Sequence, residues 1–242
     1  MLKDVEAMLD LAGEQLDEIE SIYEETLHEQ EVSGRLKALV KNVIENYRSS
    51  LDFTANAVTA AHGSPGKANV YWPYATDAAK FSHFFDKCMP DVRKKRPDLA
   101  DAWEKCQPYQ HGYEWLGVVL DLARSNKHHT LTPQVRTEQR RREAGDVSWD
   151  PSGAAFGAGS LTLGPGGGMM IGPGGQVTIG PNGVFINNER VEPFTQRTPS
   201  TRDVNYIDWL FDGLGVSALG VLKETQTKIV PMLHDLCSLA GL

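Results

Sequence analysis

The apolar residues of the first sixty positions recur at intervals of three and four, a spacing that suits long helices and little else. Leu2, Val5, Leu9, Ala12, Leu16, Ile19, Tyr23 and Leu27 trace one seam over residues 2–30. Leu36, Leu39, Val40, Val43, Ile44, Tyr47, Leu51, Ala55 and Val58 trace a second over residues 33–61. Ser33 is placed to cap the second helix, and His62-Gly63-Ser64-Pro65-Gly66 to stop it. The outward face of the first helix is almost wholly acidic: Asp4, Glu6, Asp10, Glu14, Asp17, Glu18, Glu20, Glu24, Glu25 and Glu29 stand against Lys3. A solvated face is the plain reading, and a docking surface for a basic protein partner the sharper one. On the second helix Arg48 and Asp52 are four apart, close enough to pair.

Asn69 to Tyr74 is an aromatic extended piece ended by proline. A short helix is expected from Thr76 to Cys88, capped by Thr76, with Phe81, Phe84 and Phe85 inward. The basic run Asp91 to Arg96 reads as a turn. Pro97 to Cys106 reads as a helix with proline in its first turn, and Gln107 to Gly112 as a turn. Tyr113 to Pro133 then reads as one helix, with Trp115, Leu116, Val119, Leu120 and Leu122 on its apolar face.

The end of that helix carries the chemistry of interest. Arg124, Asn126, Lys127, His128 and His129 fall within six residues. A histidine of near-neutral pKa serves as general acid or base, and a guanidinium holds a phosphate through two parallel hydrogen bonds. Together they suit cleavage of RNA without a metal, the 2′-hydroxyl acting as nucleophile. One set makes half a site, and a second copy of the chain would complete it. Arg124 and His128 share a helical face, whereas Arg124 and His129 lie about 140° apart around the axis and converge only where the helix loosens. The same cationic cluster also suits a plain helix C-terminus, where it satisfies free carbonyls and the dipole. Adjacent His128 and His129 point to different faces, and no other histidine stands at a ligand spacing from them, so neither a metal site nor a cofactor is expected.

After Pro133 the composition changes. Gln134 to Glu143 carries Arg136, Arg140, Arg141 and Arg142, and is expected to extend the helical part or line a ligand groove. Residues 160–188 hold an eight-residue repeat, with units beginning at Leu161, Met169 and Val177. Each is a short apolar strand followed by a Gly-Pro turn, which predicts a small β-meander or one face of a short β-solenoid. Asp203 to Leu239 is expected to close the chain as a helix interrupted near Gly213 and Gly215 and packed back on the bundle.

The fold class is therefore mainly α: a multi-helix bundle (1–143) with a Gly/Pro-rich β-meander insertion (144–202) and a closing helix (203–242). A formal charge of −8 argues against broad, non-specific DNA binding. Three widely spaced cysteines, Cys88, Cys106 and Cys237, predict reduced thiols in a cytoplasmic protein. The acidic N-terminus is unlike a signal peptide, and Leu214 to Leu222 is too short to span a bilayer, so no membrane partner is expected.

Four segments also carry a resemblance. Asn46-Tyr47-Arg48-Ser49-Ser50-Leu51-Asp52-Phe53, Tyr71-Trp72-Pro73-Tyr74, Cys106-Gln107-Pro108-Tyr109 and Leu122 to His129 resemble, in the same order, the N-L-R-S-A-L-D-H, F-P-I, L-Q-P-Y and L-x-N-x-D-K-H-R segments of a family of uncharacterised bacterial and phage helical proteins. Here Asn126 replaces the usual acid and His129 the usual arginine. More loosely, the bundle resembles HEPN domains, whose signature is Arg, four to six residues, then His. Arg124 and His129 fit that spacing, with Ser125 where Asn, Asp or His is usual. The resemblance implies an RNA-binding protein or metal-independent ribonuclease, a homodimer or higher homo-oligomer, in a defence or toxin setting. His129, with His128, would then be the acid/base and Arg124 the phosphate clamp. Asn126 and Lys127 would support them, with Arg136, Arg140 and Arg48 on the substrate path. The alternative is a non-catalytic interaction or assembly protein working through the β-repeat or the acidic helix.

Overall fold

The computed structural model describes in full residues 1–25, 32–64, 70–125, 133–138 and 208–242, and the backbone alone of 126–128, 139–144, 147–149, 177–180, 183–186, 189–190 and 202–207. The chain divides into two compact units, Met1–Arg136 with Trp209–Leu242, and Thr137–Asp208.

The first unit is helical. It holds α1 (Lys3–Glu25), α2 (Gly34–His62), α3 (Ala78–Cys88), α4 (Val92–Lys95), α5 (Pro97–Lys105), α6 (Glu114–His128) and α7 (Ala218–Ala240). Apart from half-buried Leu2 and Leu39, and Leu27, which lies outside the described residues, the two seams read from the sequence are the buried faces of α1 and α2, which pack along each other. Val5, Leu9, Ala12, Leu16, Ile19 and Tyr23 come from α1, and Leu36, Val40, Val43, Ile44, Tyr47, Leu51, Ala55 and Val58 from α2. Ser33 caps α2, accepting from the Leu36 amide at 3.2 Å. Ser50, Thr54 and Thr59 are buried on α2 without penalty, because each hydroxyl donates to the carbonyl one turn back. Helix α7 packs on both, and the buried Tyr47 hydroxyl donates to its Leu222 carbonyl at 3.3 Å.

Several local expectations are corrected. Asp77, not Thr76, caps α3, its Oδ1 accepting from the Lys80 amide. The basic run 91–96 forms α4, entered through Asp91 at φ 63°. The stretch after Pro133 is a strand, β1 (Gln134–Ala144), antiparallel to β2 (Val147–Trp149). Residues from 203 do not begin the closing helix. Arg202–Phe211 is strand β6, and it turns through Gly213 and Gly215, both at positive φ, into β7 (Val216–Ser217). The aromatic and β-branched residues Val204, Tyr206, Ile207, Trp209 and Phe211 favour the extended form, and Trp209 and Phe211 are buried on one side of the strand. The strand order is β2-β1-β6-β7.

In the second unit, β3 (Val177–Gly180), β4 (Gly183–Ile186) and β5 (Glu189–Arg190) form an antiparallel three-stranded sheet. The third repeat unit is thus a hairpin closed at Gly180 and Gly183. The first two units, 161–176, lie outside the described residues. The unit boundaries at 136/137 and 208/209 fall within β1 and β6.

Residues 70–75 form an extended strap without ladder pairing, held by side chains. Asn56 Nδ2 donates to the Val70 carbonyl at 3.1 Å, and Asp52 Oδ1 accepts from the Trp72 amide at 2.8 Å. Gln107, fully buried, accepts from the Ala75 amide at 3.0 Å and donates to the carbonyls of Pro73 and Trp103, each at 3.1 Å. Trp72 is thereby seated against Trp103, ring centroids 5.3 Å apart. Gln107→Ala leaves the Ala75 amide and the Pro73 carbonyl buried without this partner. It is expected to cost roughly 2–4 kcal/mol, read as a lower urea midpoint with an unchanged slope.

Cys88, Cys106 and Cys237 are free thiols. Burial raises the Cys106 thiol from its ordinary 9.0 to about 11 and the neighbouring Tyr113 hydroxyl to about 12. Both folded values lie above the unfolded ones. Their contribution to stability is therefore complete below pH ~8.5 and is lost as pH rises through about 11. Urea titrations across that range should show a steady fall for the wild type and a shallower one for Cys106→Ala; equal slopes would contradict the assignment.

Candidate functional site

Arg124 lies in the last turn and a half of α6, on the exposed side of a helix whose Trp115, Leu116, Val119, Leu120, Leu122 and Ala123 are buried. Its Nη2 is 3.2 Å from Asp121 Oδ1, one turn back, and its guanidinium stands 5.7 Å from the centre of the Tyr74 ring. The Tyr74 hydroxyl donates to the same Asp121 oxygen at 3.5 Å. Partial burial, and secondarily the Asp121 carboxylate, raise the Tyr74 pKa; Arg124 opposes that shift. The three side chains form one cluster, with Asp121 shared between a guanidinium and a phenol.

Arg48 approaches from α2. Its Nε donates to Asp52 Oδ2 at 2.9 Å, the pairing expected from the sequence, and both side chains are about four-fifths covered (21% and 18% exposed). The second Asp52 oxygen accepts from the Trp72 amide, so one carboxylate fixes both the arginine and the strap. Tyr71, next in the strap, is 47% exposed. Arg48, Tyr71, Leu120, Ala123 and Arg124 line one cavity of about 240 Å³. That is smaller than the roughly 300–1,000 Å³ of pockets for drug-sized ligands, and it suits a single group such as a phosphate or one ring.

A larger cavity, about 520 Å³, lies beside the first turn of α1 and is lined largely by Leu2, Val5, Phe53, Ala57, Ala60 and Val70. The polar side chains of Asn56 and Thr59 there already bond to backbone carbonyls. The smaller cavity is chosen as the candidate site because it gathers two guanidiniums and an exposed ring.

The structure therefore brings Arg48 and Arg124 to one place. Asn126, Lys127 and His128 belong to the last turn of α6, and their side chains lie outside the described residues, as does the whole of His129. Arg136 is half-buried in β1 in the helical unit, and Arg140 lies on the same strand in the second unit. Tyr71, Tyr74 and Asp121 were not singled out from the sequence. Asp121 was legible as the i−3 partner of Arg124, whereas the tyrosines reach Arg124 only through tertiary packing. No family model, curated protein or solved structure matches this chain. Among the described residues no three metal-ligating side chains come together, and no helix is long and apolar enough to cross a membrane.

Asp121 and Arg124 are both more than half exposed, so their pair contributes little to the fold. The Asp121 carboxylate instead competes with any anion that approaches Arg124. Asp121→Asn is expected to tighten pyrophosphate binding severalfold in calorimetric titration without moving the melting temperature. The gain should vanish when Arg124→Ala is added.

Proposed function

We infer that this chain binds RNA at the Arg48–Arg124 cavity and cleaves it without a metal ion, in the manner of HEPN-like ribonucleases. The observation that carries the reading is the convergence of two guanidiniums, from α2 and α6, on one small cavity beside an exposed tyrosine. Arg124 is the phosphate clamp. Its existing partner is a solvent-exposed carboxylate, so a phosphate can take the guanidinium over at small cost. Arg48 is held by Asp52 through Nε, and among the described residues no hydrogen bond engages its two amino groups. It supplies fixed positive potential at the cavity wall. In a chain of net charge −8 such a local cationic surface is what an RNA backbone can use.

The cleavage half of the reading rests on the sequence. His129, with His128 beside it, takes the proton of the 2′-hydroxyl. O2′ attacks the phosphorus, a 2′,3′-cyclic phosphate forms, and the 5′-oxygen leaves with a proton from a second imidazole. A homodimer that brings two Arg124–His129 sets together supplies that second imidazole. In the sequence Asn126 and Lys127 follow the clamp closely, and Arg136 lies on β1 in the helical unit. A second reading, a non-catalytic assembly protein, is favoured by the outer face of α1, where Asp4, Glu6, Asp10, Glu14 and Asp17 are exposed.

Cleavage of an RNA pool in EDTA, with oligomer mass read on the same samples, tests both. The wild type should cleave. His129→Ala should slow the reaction about a hundredfold or more while still binding RNA, and Arg124→Ala should lose both. Absence of cleavage and binding, or cleavage that survives both substitutions, would overturn the reading and favour the assembly protein.

A further inference from the structure

We propose that Tyr71 is a base-stacking platform, and that the cavity beside it accepts one unstacked nucleotide of a single-stranded RNA. The inference rests on the RNA-binding reading and goes beyond it by naming the form of the substrate and the residue that selects it.

The geometry has three parts. First, Tyr71 is a large ring, nearly half exposed, on a wall that also carries Arg48 and Arg124. Second, its backbone is fixed on both sides. Asn56 holds the carbonyl of Val70 before it, and Asp52 holds the amide of Trp72 after it. Trp72 itself is buried against Trp103. A ring presented from a backbone clamped on either side loses little further freedom when a base stacks on it. Third, the cavity of about 240 Å³ is lined by the apolar Leu120 and Ala123 together with the two arginines. It has room for one flat base, whose phosphate then reaches Arg124 from outside the cavity, and a stacked, paired duplex does not offer such a base.

Tyr74 does not share this role, since its ring already lies under the Arg124 guanidinium and its hydroxyl is engaged by Asp121. Asp52 is a positioning residue: it touches Arg48 and the strap, and reaches a bound nucleotide only through them.

The test uses a short fluorescent 2′-O-methyl RNA strand, which keeps bases and phosphates but offers no 2′-hydroxyl to attack. Binding is measured by anisotropy for the wild type, Tyr71→Ala and Tyr71→Trp, each checked for an unchanged melt. The single strand should bind at least tenfold tighter than the same sequence as a duplex. Tyr71→Ala should weaken single-strand binding by roughly five- to a hundredfold, and Tyr71→Trp should retain it. An abasic position walked along the strand should cost affinity at one place in the wild type and nowhere in Tyr71→Ala. If the wild type binds RNA but prefers the duplex, or Tyr71→Ala binds as well as Tyr71→Trp, the platform is wrong and the RNA reading stands. If the wild type binds neither strand nor duplex, the RNA reading itself fails and the platform with it.

Discussion

The strap at residues 70–75 has the polar backbone of a strand and, among the described residues, no strand beside it, and that constraint shapes the middle of the helical unit. A buried extended segment must find donors and acceptors somewhere. Here they come from three side chains on two different elements: Asn56 and Asp52 on α2, and Gln107 in the turn after α5. Gln107 also bonds the Trp103 carbonyl, so the end of α5, the strap and α2 are tied into one polar network inside an aromatic core. Trp72 packs on Trp103 and Trp103 on Phe85, with Arg93 laid over the Phe81 and Phe85 rings. The apolar packing and the polar network each hold the other in place. Without the clamps Trp72 has no fixed register, and without Trp72 the clamps have no buried segment to satisfy.

This arrangement explains what the sequence disclosed and what it hid. Helices α1 and α2 were legible because their apolar residues keep one period for six or more turns, and no strand accommodates such a run. The segment Arg202–Phe211 was not. Its Tyr206, Ile207, Leu210 and Phe211 satisfy a helical spacing as well as an alternating one, and two glycines read equally as a helix break or as a hairpin turn. Only the pairing of Leu210 with Ser217 and of Phe211 with Val216, which is tertiary information, decides between them. The candidate site divides in the same way. Arg48–Asp52 and Asp121–Arg124 are neighbours on their own helices and follow from spacing. That Arg48, Tyr71 and Arg124 share a cavity depends on α2 and α6 packing together, which no local pattern encodes.

The two arginines of the site are not equivalent, and their surroundings say why. Arg48 sits four-fifths covered against a carboxylate that is itself anchored to the strap. Taking Asp52 away would strand a partly buried charge and release a backbone amide at once, so this pair is fixed. Arg124 faces solvent beside a carboxylate that is also exposed, and it leans on Tyr74. Such a pair is worth about 0–1 kcal/mol, which leaves the guanidinium free to change partners. One charge is therefore held in place at the cavity wall and the other is free to move.

The four segments Asn46–Phe53, Tyr71–Tyr74, Cys106–Tyr109 and Leu122–His129 differ in what their contacts do. In Asn46 to Phe53, Asn46 bonds Gln15 of α1, Tyr47 bonds α7, Arg48 and Asp52 pair, and Asp52 grips the strap. Tyr71 to Tyr74 is the strap, and Gln107 its second clamp. Three of the four segments therefore describe how one extended piece is locked between helices. The fourth, Leu122 to His129, contains a residue that does little for the fold. Arg124 is exposed and weakly paired, and the helix it ends is anchored by the apolar residues before it. Function is therefore best sought where the fold makes the least use of the side chain, and on this molecule that is the Arg124 end of α6 together with the ring of Tyr71 that the strap holds beside it.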